Sequence, residues 1–251
     1  MSSIVTPTLT AEYCWFCWVV LGAMGYFSGS VPFAYLLAKS RGIDLATVGS
    51  GNFGATNLGR ALGKPMGFLC FFLDAAKGAL PVLLAGWWMG LLGKSAIEID
   101  AYAAWSWLGV AFFAMVGHTL SPWIGFKGGK GVSTAFGALL ALWPSVTVPA
   151  LAAFALWALV LLIFRFVSLA SIVAALAIPC FIAVGAALMP SELAVYDRFQ
   201  RALPFLALTG LIALFVVWKH RSNIARLKSG TEPKVFGKRV ASAETPTPPA
   251  P

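Results

Sequence analysis

Three polar, glycine-rich stretches interrupt an otherwise apolar chain, at residues 49–60, 117–131 and 220–232. Each stretch combines glycines with lysine, arginine or histidine. Glycines leave backbone N–H groups free to approach a phosphate, and cationic side chains attract it. The apolar segments on either side place these groups at a bilayer surface. The pattern therefore indicates a membrane enzyme with an anionic substrate.

The first stretch matches the dinucleotide-binding fingerprint, because Gly49, Gly51 and Gly54 have its spacing and Asp74 follows at the expected distance. Pro65 and a long apolar run come next, however, and nothing downstream alternates strands with helices. We therefore interpret the stretch as a loop that binds a ligand other than a dinucleotide. The alternative is a flexible loop in which the glycines only form turns. The polar side chains that favour binding are Ser50, Asn52, Thr56, Asn57 and Arg60.

The second stretch carries Lys127 and Lys130 in a glycine-rich turn that leads into a predicted helix. Free N–H groups and the helix dipole favour an anion at such a position. The order of residues is not that of a Walker A motif. Lysines that reach lipid headgroups are the alternative. His118, at the start of this stretch, is by itself more typical of a structural interfacial histidine than of a base.

The third stretch directly follows the last apolar segment. A basic juxtamembrane segment that touches anionic lipid is one interpretation. It does not explain the polar pattern around His220, Asn223 and Glu232. This pattern favours a binding or catalytic role for the stretch.

Asp74 and Lys77 lie one helical turn apart within an apolar segment. Ionisable groups are costly in lipid, so both side chains are expected to face the protein interior and each other. A structural ion pair and a role in the site both remain open at this point.

The chain is predicted to be an all-α integral membrane protein, because 59% of its residues are hydrophobic and only 11% are charged. Pro144 divides residues 131–165 into a helical hairpin. We therefore predict about seven transmembrane helices. They lie near residues 13–38, 66–92, 103–117, 131–143, 146–165, 167–189 and 203–219. We expect residues 1–240 to form one polytopic domain and the proline-rich residues 241–251 to be a disordered tail.

The distribution of basic residues predicts the orientation. With seven spans, fourteen basic residues share one side, and only Lys94, Arg198 and Arg201 lie on the other. The positive-inside rule then places the N-terminus outside, the C-terminus in the cytoplasm and all three polar stretches on the cytoplasmic face, where they can form one site.

The sequence gives no indication of disulfide bonds or of a metal site. The four cysteines all lie in apolar segments, and the nine acidic residues are scattered without metal-ligand spacing. We expect no disulfide framework and no metal.

Three motifs, in order and spacing, resemble those of the bacterial acyl-phosphate:glycerol-3-phosphate acyltransferases (the PlsY family) over about residues 15–240. They are Gly49-Ser-Gly-Asn-Phe-Gly-Ala-Thr-Asn57 with Arg60, Gly117-His118 through Phe126-Lys-Gly-Gly-Lys-Gly131, and His220-Arg-x-Asn-Ile-x-Arg-Leu-x-x-Gly-Thr-Glu232. Asp74-x-x-Lys77-Gly78 also fits.

The resemblance implies a seven-helix protein of the bacterial cytoplasmic (inner) membrane. It implies transfer of a fatty acyl group from acyl phosphate to the 1-hydroxyl of sn-glycerol 3-phosphate, which gives lysophosphatidic acid and phosphate in the first acylation step of phospholipid biosynthesis. Acyl phosphate is an activated anhydride, so the reaction needs no cofactor and no covalent serine. An enzyme that forms acyl phosphate is the implied functional partner.

The resemblance also implies residue roles. Ser50 and Arg60 hold the glycerol-3-phosphate phosphate, with Lys127 or Lys130 beside them. Asn52 and Asn57 orient the loop or the glycerol hydroxyls. His220 and Asn223 lie near the reacting hydroxyl, whose proton passes either to His220 or to a substrate phosphate oxygen. The expected supporting residues are Thr56, Asp74, Lys77, His118, Ser121, Arg221 and Glu232.

Other functions fit the sequence less well. The His-x4-Asp motif of thioester-dependent acyltransferases is absent, since Trp123 and Ala225 stand where the aspartate would follow His118 and His220. A transporter or scramblase would carry ionisable residues across several spans, whereas here they crowd one face. An inert scaffold is supported only by the basic tail.

Overall fold

The computed structural model describes residues 11–235, and this part of the chain is all-helical. The predicted disordered tail, residues 241–251, lies outside the described residues. The helices, in chain order, are α1 (Ala11–Ser30), α2 (Phe33–Lys39), α3 (Ala55–Leu62), α4 (Lys64–Trp88), α5 (Ala101–Thr119), α6 (Val132–Leu140), α7 (Thr147–Phe164), α8 (Val167–Leu188), α9 (Val195–Lys219) and α10 (Arg221–Lys228). A single 3₁₀ turn, Pro122–Ile124, follows α5.

Six segments within the described range are long and apolar enough to cross a membrane. They are Trp18–Lys39, Lys64–Trp88, Ala101–Ile124, Thr147–Phe164, Val167–Leu188 and Val195–Lys219. The expected seventh span corresponds to α6, which has nine residues. At 1.5 Å per residue it extends about 14 Å, roughly half the thickness of a bilayer core. The number of crossings therefore stays a prediction.

Residues 131–165 form two helices joined by a turn that contains Pro144. The turn contacts the loop after α4, because Gly93 N–H donates to the Trp143 carbonyl over 3.1 Å and Ser145 Oγ donates to the Lys94 carbonyl over 3.0 Å. Where α7 ends, the Arg165 carbonyl accepts from Val235 N–H over 2.9 Å. The first of the two helices, α6, thus runs away from the third polar stretch, and α7 runs back toward it.

One predicted span boundary was wrong. The first span, predicted near 13–38, corresponds to the apolar segment Trp18–Lys39 and consists of α1 and α2 with Val31 and Pro32 between them. The last span, predicted to begin at residue 203, begins eight residues earlier at Val195. Arg198 and Arg201, which indicated a loop, lie in the first turns of α9. Each donates to a backbone carbonyl, Arg198 to that of Met189 and Arg201 to that of Ile97 over 2.7 Å. Among the described residues, the buried Nε of Arg198 has no partner.

Glycines let two pairs of helices approach closely. A Cβ on Gly29 of α1 would lie 2.0 Å from the Ala114 carbonyl oxygen of α5, and one on Gly137 of α6 would lie 1.9 Å from the Ala75 oxygen of α4. Small residues at such crossings allow tight backbone packing in membranes. The α4–α6 contact fixes α6, and α6 carries the glycine-rich turn at its N-terminus.

Candidate active site

The first polar stretch folds around the side chain of Asn57, which is almost fully buried. Its Oδ1 accepts from the Ser50 backbone N–H over 3.0 Å, and its Nδ2 donates to the carbonyls of Val48 and Leu45 over 3.0 and 3.4 Å. Gly49 has φ +59, and a Cβ there would lie 2.5 Å from Asn57 Oδ1. Of its two predicted roles, Asn57 has the geometry of a residue that orients the loop.

Arg60 follows on α3 and lines the same cavity as Ser50. Burial lowers the pKa of Arg60, Glu232 raises it, and neighbouring Arg226 lowers it. A guanidinium remains charged despite such shifts. It therefore provides a permanent, forked donor for an anion.

The glycine-rich turn between α5 and α6 is folded against the end of α5. Gly128 N–H donates to the Thr119 carbonyl over 3.1 Å. A Cβ on Gly129 would lie 2.3 Å from His118 Nε2, and Gly131 caps α6 with φ +80. Each of these three glycines thus occupies a position that a larger residue would disturb. The turn brings Lys130 to the cavity.

Burial lowers the pKa of Lys130 to about 8, with Glu232 raising it and the cations Arg226 and Arg60 lowering it further. Lys130 is therefore mostly protonated at neutral pH, in a site where several cations repel one another. Such a concentration of positive charge favours an anionic ligand.

His220 lies between α9 and α10 and is 3% exposed. Its Nδ1 is 2.8 Å from the Val216 carbonyl oxygen. A carbonyl only accepts hydrogen bonds, so Nδ1 carries the proton and Nε2 of the neutral ring is unprotonated. Burial lowers the pKa of His220 to about 4, and the charge of Lys130 lowers it too. The neutral ring is the form present at neutral pH.

A hydrogen-bonded network joins the second and third polar stretches. Lys130 Nζ donates to Asn223 Oδ1, and Asn223 Nδ2 donates to Glu232 Oε1 over 2.7 Å. Ser168 Oγ donates to the same oxygen over 2.7 Å, while Arg226 Nε donates to Glu232 Oε2 over 2.8 Å. Burial raises the pKa of Glu232, but these three hydrogen bonds outweigh it and hold the pKa below its usual range. The carboxylate thereby anchors Asn223, which holds Lys130.

Asp74, Lys77 and His118 form a buried cluster beside the turn. Lys77 Nζ is 2.7 Å from Asp74 Oδ1 and donates to the Val31 carbonyl over 2.6 Å. His118 Nδ1 is 3.7 Å from Asp74 Oδ1 and 3.1 Å from Thr134 Oγ1. The predicted ion pair is present, and through His118 it reaches the glycine-rich turn.

A cavity of about 180 Å³ opens among these residues, which is more than ten times the space that one water needs. Polar and cationic side chains line one part of it, and apolar side chains from α6, α7, α8 and α9 line the rest. Among the described residues, no group of three or more His, Cys, Asp or Glu side chains is placed to hold a metal ion. The arrangement suits a ligand with an anionic head and an apolar chain.

Most of the predicted site residues converge on this cavity. Those that line it are Ser50, Asn52, Thr56, Asn57, Arg60, Asp74, His118, Lys130, His220, Asn223 and Glu232.

Four predicted residues do not line the cavity. Lys127 is exposed in the turn, and Lys77 is buried behind Asp74. Ser121 Oγ donates to the Ser30 carbonyl over 2.6 Å, and the guanidinium of Arg221 lies 4.9 Å from the Trp218 ring centroid. Of the two lysines in the turn, only Lys130 therefore reaches the cavity.

Sequence reasoning missed two participants in the Glu232 network. Ser168 is one of two serines in the first turns of an apolar helix, and nothing in the sequence distinguishes it from a helix-terminal serine. Arg226 lies six residues before Glu232 within the third stretch. The composition of that stretch indicates only that it is basic. The pairing of Arg226 with the Glu232 carboxylate is visible only in the fold.

A family model described as glycerol-3-phosphate acyltransferase matches residues 19–230. The chain is 42% identical over 226 residues to the glycerol-3-phosphate acyltransferase of Trichlorobacter lovleyi, covering 90% of this chain and 98% of that protein. It is 40% identical over 223 residues to that of Desulforamulus reducens, covering 88% and 96%.

Two crystal structures have a similar fold, both of PlsY, described as an integral membrane glycerol 3-phosphate acyltransferase. Its glycerol 3-phosphate form is 37% identical with a TM-score of 0.72, covering 88% of this chain and 96% of that one. Its lysophosphatidic acid form is 36% identical with a TM-score of 0.70, covering 88% and 95%.

Proposed function

Because the chain belongs to the glycerol-3-phosphate acyltransferase family of integral membrane enzymes, we propose that its acyl donor is acyl phosphate. The acyl group is transferred to the 1-hydroxyl of sn-glycerol 3-phosphate. Lysophosphatidic acid and inorganic phosphate are the products. The reaction takes place at the cytoplasmic face of a bacterial inner membrane, where an acyl-phosphate-forming enzyme supplies the donor.

One observation carries this proposal: a single cavity joins a cationic mouth to an apolar interior. Arg60 and Lys130 supply positive charge at the mouth, beside the loop that contains Ser50. Both substrates carry a phosphate, and the donor also carries a long apolar chain. An acyl phosphate therefore matches the cavity in both charge and polarity.

The chemistry requires alignment rather than a covalent intermediate. The hydroxyl oxygen of glycerol 3-phosphate attacks the acyl carbonyl carbon, the carbon–oxygen bond to the phosphate breaks, and phosphate leaves with the electron pair of that bond. Cations around both phosphates stabilise the charge on the leaving group. Holding both reactants in one geometry supplies the remaining acceleration.

The hydroxyl proton has two candidate acceptors. Nε2 of His220 is unprotonated in the neutral ring and lies in the cavity wall. Its low pKa makes it a weak base in the empty site, although two bound phosphates would raise that pKa through their negative charge. A phosphate oxygen of a substrate is the second candidate. We assign the proton to His220.

The remaining polar residues hold this arrangement in place. Asn223 has protein partners at both its side-chain oxygen and nitrogen, so we assign it to holding Lys130 toward the phosphate. Asn57 shapes the loop that presents Ser50. Asp74 and His118 support the glycine-rich turn from behind.

The donor is tested with purified protein in phospholipid vesicles and radiolabelled glycerol 3-phosphate. Palmitoyl phosphate, palmitoyl coenzyme A and palmitoyl acyl carrier protein are compared as donors. We expect labelled lysophosphatidic acid from palmitoyl phosphate alone. Arg60→Ala should abolish this product, whereas Arg41→Ala, which removes an exposed arginine outside the cavity, should not. Product from a thioester donor and none from palmitoyl phosphate would overturn the proposed donor.

A further inference from the structure

The apolar part of the cavity is a slot of defined length. Along α8 its lining runs from Ser168, which contacts Glu232, to Ile178. Along α9 it runs from His220, just after the helix, back to Thr209. At 1.5 Å per helical residue these distances are about 15 and 16.5 Å. Two helices of opposite direction thus give the same depth, measured from the reactive end.

No polar group deep in the slot needs a partner from a ligand. Thr209 Oγ1 donates to the Phe205 carbonyl over 2.7 Å, and Ser171 Oγ accepts from Trp157 Nε1 over 3.2 Å. Most of the other inner lining residues are aliphatic or aromatic. An occupant that offers no hydrogen bonds therefore fits the slot without leaving buried polar atoms unpaired.

One side of the slot is a continuous wall of aromatic rings from α4, α6 and α7. The centroids of Phe71 and Phe136 are 6.1 Å apart, those of Phe136 and Phe154 are 4.8 Å apart, and those of Phe154 and Trp157 are 5.6 Å apart. Alanines of α7 and α8 line other parts of the cavity. The slot is thus lined by bulky rings and by small residues, a surface that is apolar throughout.

The lining of the slot ends among buried side chains. Leu139, Ala150 and Ile178 are the last lining residues on their helices and are all buried. Leu142, two residues beyond the end of α6, and Ile182, one turn further along α8, are buried in the same core and do not line the cavity. A chain that reaches this end meets densely packed protein, which does not yield easily to extra methylenes.

We propose that Leu139, Ala150 and Ile178 determine which acyl-chain length is transferred most efficiently. The proposal rests on the proposed function, since it assumes that an acyl chain occupies the slot. An extended chain advances roughly 1.3 Å per carbon, because C–C bonds of about 1.5 Å are inclined to its axis. The slot therefore holds about twelve carbons, and longer chains must bend or leave it sideways past Phe154, which is exposed on the surface of the protein.

The test measures kcat/KM for a series from decanoyl to octadecanoyl phosphate. Ile178→Ala lengthens the slot, and Ala175→Leu narrows it one turn before the end. A methylene that fits or fails to fit an apolar pocket changes kcat/KM by about tenfold or more. We expect the hexadecanoyl-to-decanoyl ratio to rise at least tenfold in Ile178→Ala and to fall at least tenfold in Ala175→Leu. Leu176→Ala, which alters a lipid-exposed neighbour outside the cavity, should leave it unchanged.

The outcomes separate this inference from the proposed function. Activity with acyl phosphates and an unchanged length ratio in both slot variants would overturn the chain-length proposal alone. A ratio that changes equally in Leu176→Ala would also overturn it, because that change does not touch the slot. Absence of product from every acyl phosphate would contradict the donor, and the same variants would then be compared with thioesters of the same lengths. If Ala175→Leu is inactive, the length ratio measured for Ile178→Ala still tests the chain-length proposal.

Discussion

At the mouth of the cavity, His220 and Lys130 hold opposite protonation states at neutral pH. The pKa of His220 is lowered to about 4 and that of Lys130 to about 8, in both cases chiefly by burial. The first shift leaves the His220 ring neutral with an unprotonated Nε2. The second leaves Lys130 charged in most molecules. A neutral imidazole thus lies in the same site as a cationic side chain.

The charge of Lys130 should limit activity at alkaline pH. Above about pH 8 the lysine loses its proton in the free enzyme, so kcat/KM for glycerol 3-phosphate should fall about tenfold per pH unit. In Lys130→Arg the guanidinium stays charged, and the decline should move above about pH 10. Lys127→Arg changes an exposed lysine of the same turn and should retain the wild-type profile. An unaltered alkaline decline in Lys130→Arg would contradict the assignment.

The proton acceptor is tested with His220→Ala. If Nε2 accepts the hydroxyl proton, kcat at saturating substrates should fall at least about hundredfold, a typical contribution of general base catalysis. His220→Gln retains hydrogen-bonding capacity without a basic nitrogen and should be equally slow. Near-normal kcat in either variant would instead assign the proton to a substrate phosphate. Thermal unfolding of both variants at neutral pH serves as the control for folding.

At the scale of elements, the position of Lys130 depends on how closely α6 packs against α4. Gly78 and Gly137 form this contact, since a Cβ on either would lie about 2 Å from a backbone oxygen of the other helix. Backbone atoms cannot move aside as flexible side chains do. The helices must therefore separate if either glycine is enlarged, and the glycine-rich turn would move with α6.

We expect Gly137→Ala to lower the free energy of unfolding by more than about 2 kcal/mol, as overpacking against rigid neighbours does. Gly185→Ala is the matched control in α8, because nothing lies within 4 Å of its added Cβ. Alanine favours helix over glycine by about 0.5–1 kcal/mol, so this control should be neutral or stabilising. Unfolding in detergent micelles measures both. Equal stability of the two variants would contradict the close α4–α6 contact.

On the scale of the whole molecule, the site combines residues from Ser50 to Glu232. They meet because α5 and α9 end where α6 begins. The opposite end of the bundle contains the loop after α4 and the α6–α7 turn, which contact each other. This separation of ends agrees with the charge distribution that predicts a cytoplasmic site.

The orientation can be measured with single added cysteines. Glu192→Cys lies between α8 and α9, and Ser229→Cys follows α10; both positions are exposed. In bacterial cells that have lost the outer membrane but keep a sealed inner membrane, an impermeant maleimide should label Glu192→Cys. Ser229→Cys should react only after permeabilisation, because the positive-inside rule places it in the cytoplasm. The unmodified chain gives the background of its native cysteines. The reverse pattern would contradict the predicted orientation.

Much of the architecture could be predicted because hydropathy and proline act locally. Apolar runs located the membrane helices, and Pro144 separated α6 from α7. Predictions from local sequence were wrong where tertiary contacts stabilise a residue in an unexpected position. Arg198 and Arg201 indicated a loop, yet carbonyls from Met189 and Ile97 allow them to lie within α9.

The sequence by itself determined the three motif stretches, the apolar character and the family, since these depend on residue types and spacing along the chain. Only the tertiary structure decided that Lys130 rather than Lys127 reaches the cavity and that Ser168 and Arg226 hold Glu232. It alone revealed the slot, whose lining is scattered over five helices. Alanines and isoleucines there look like any other membrane residues in sequence, because a cavity is defined by side chains that approach from separate elements.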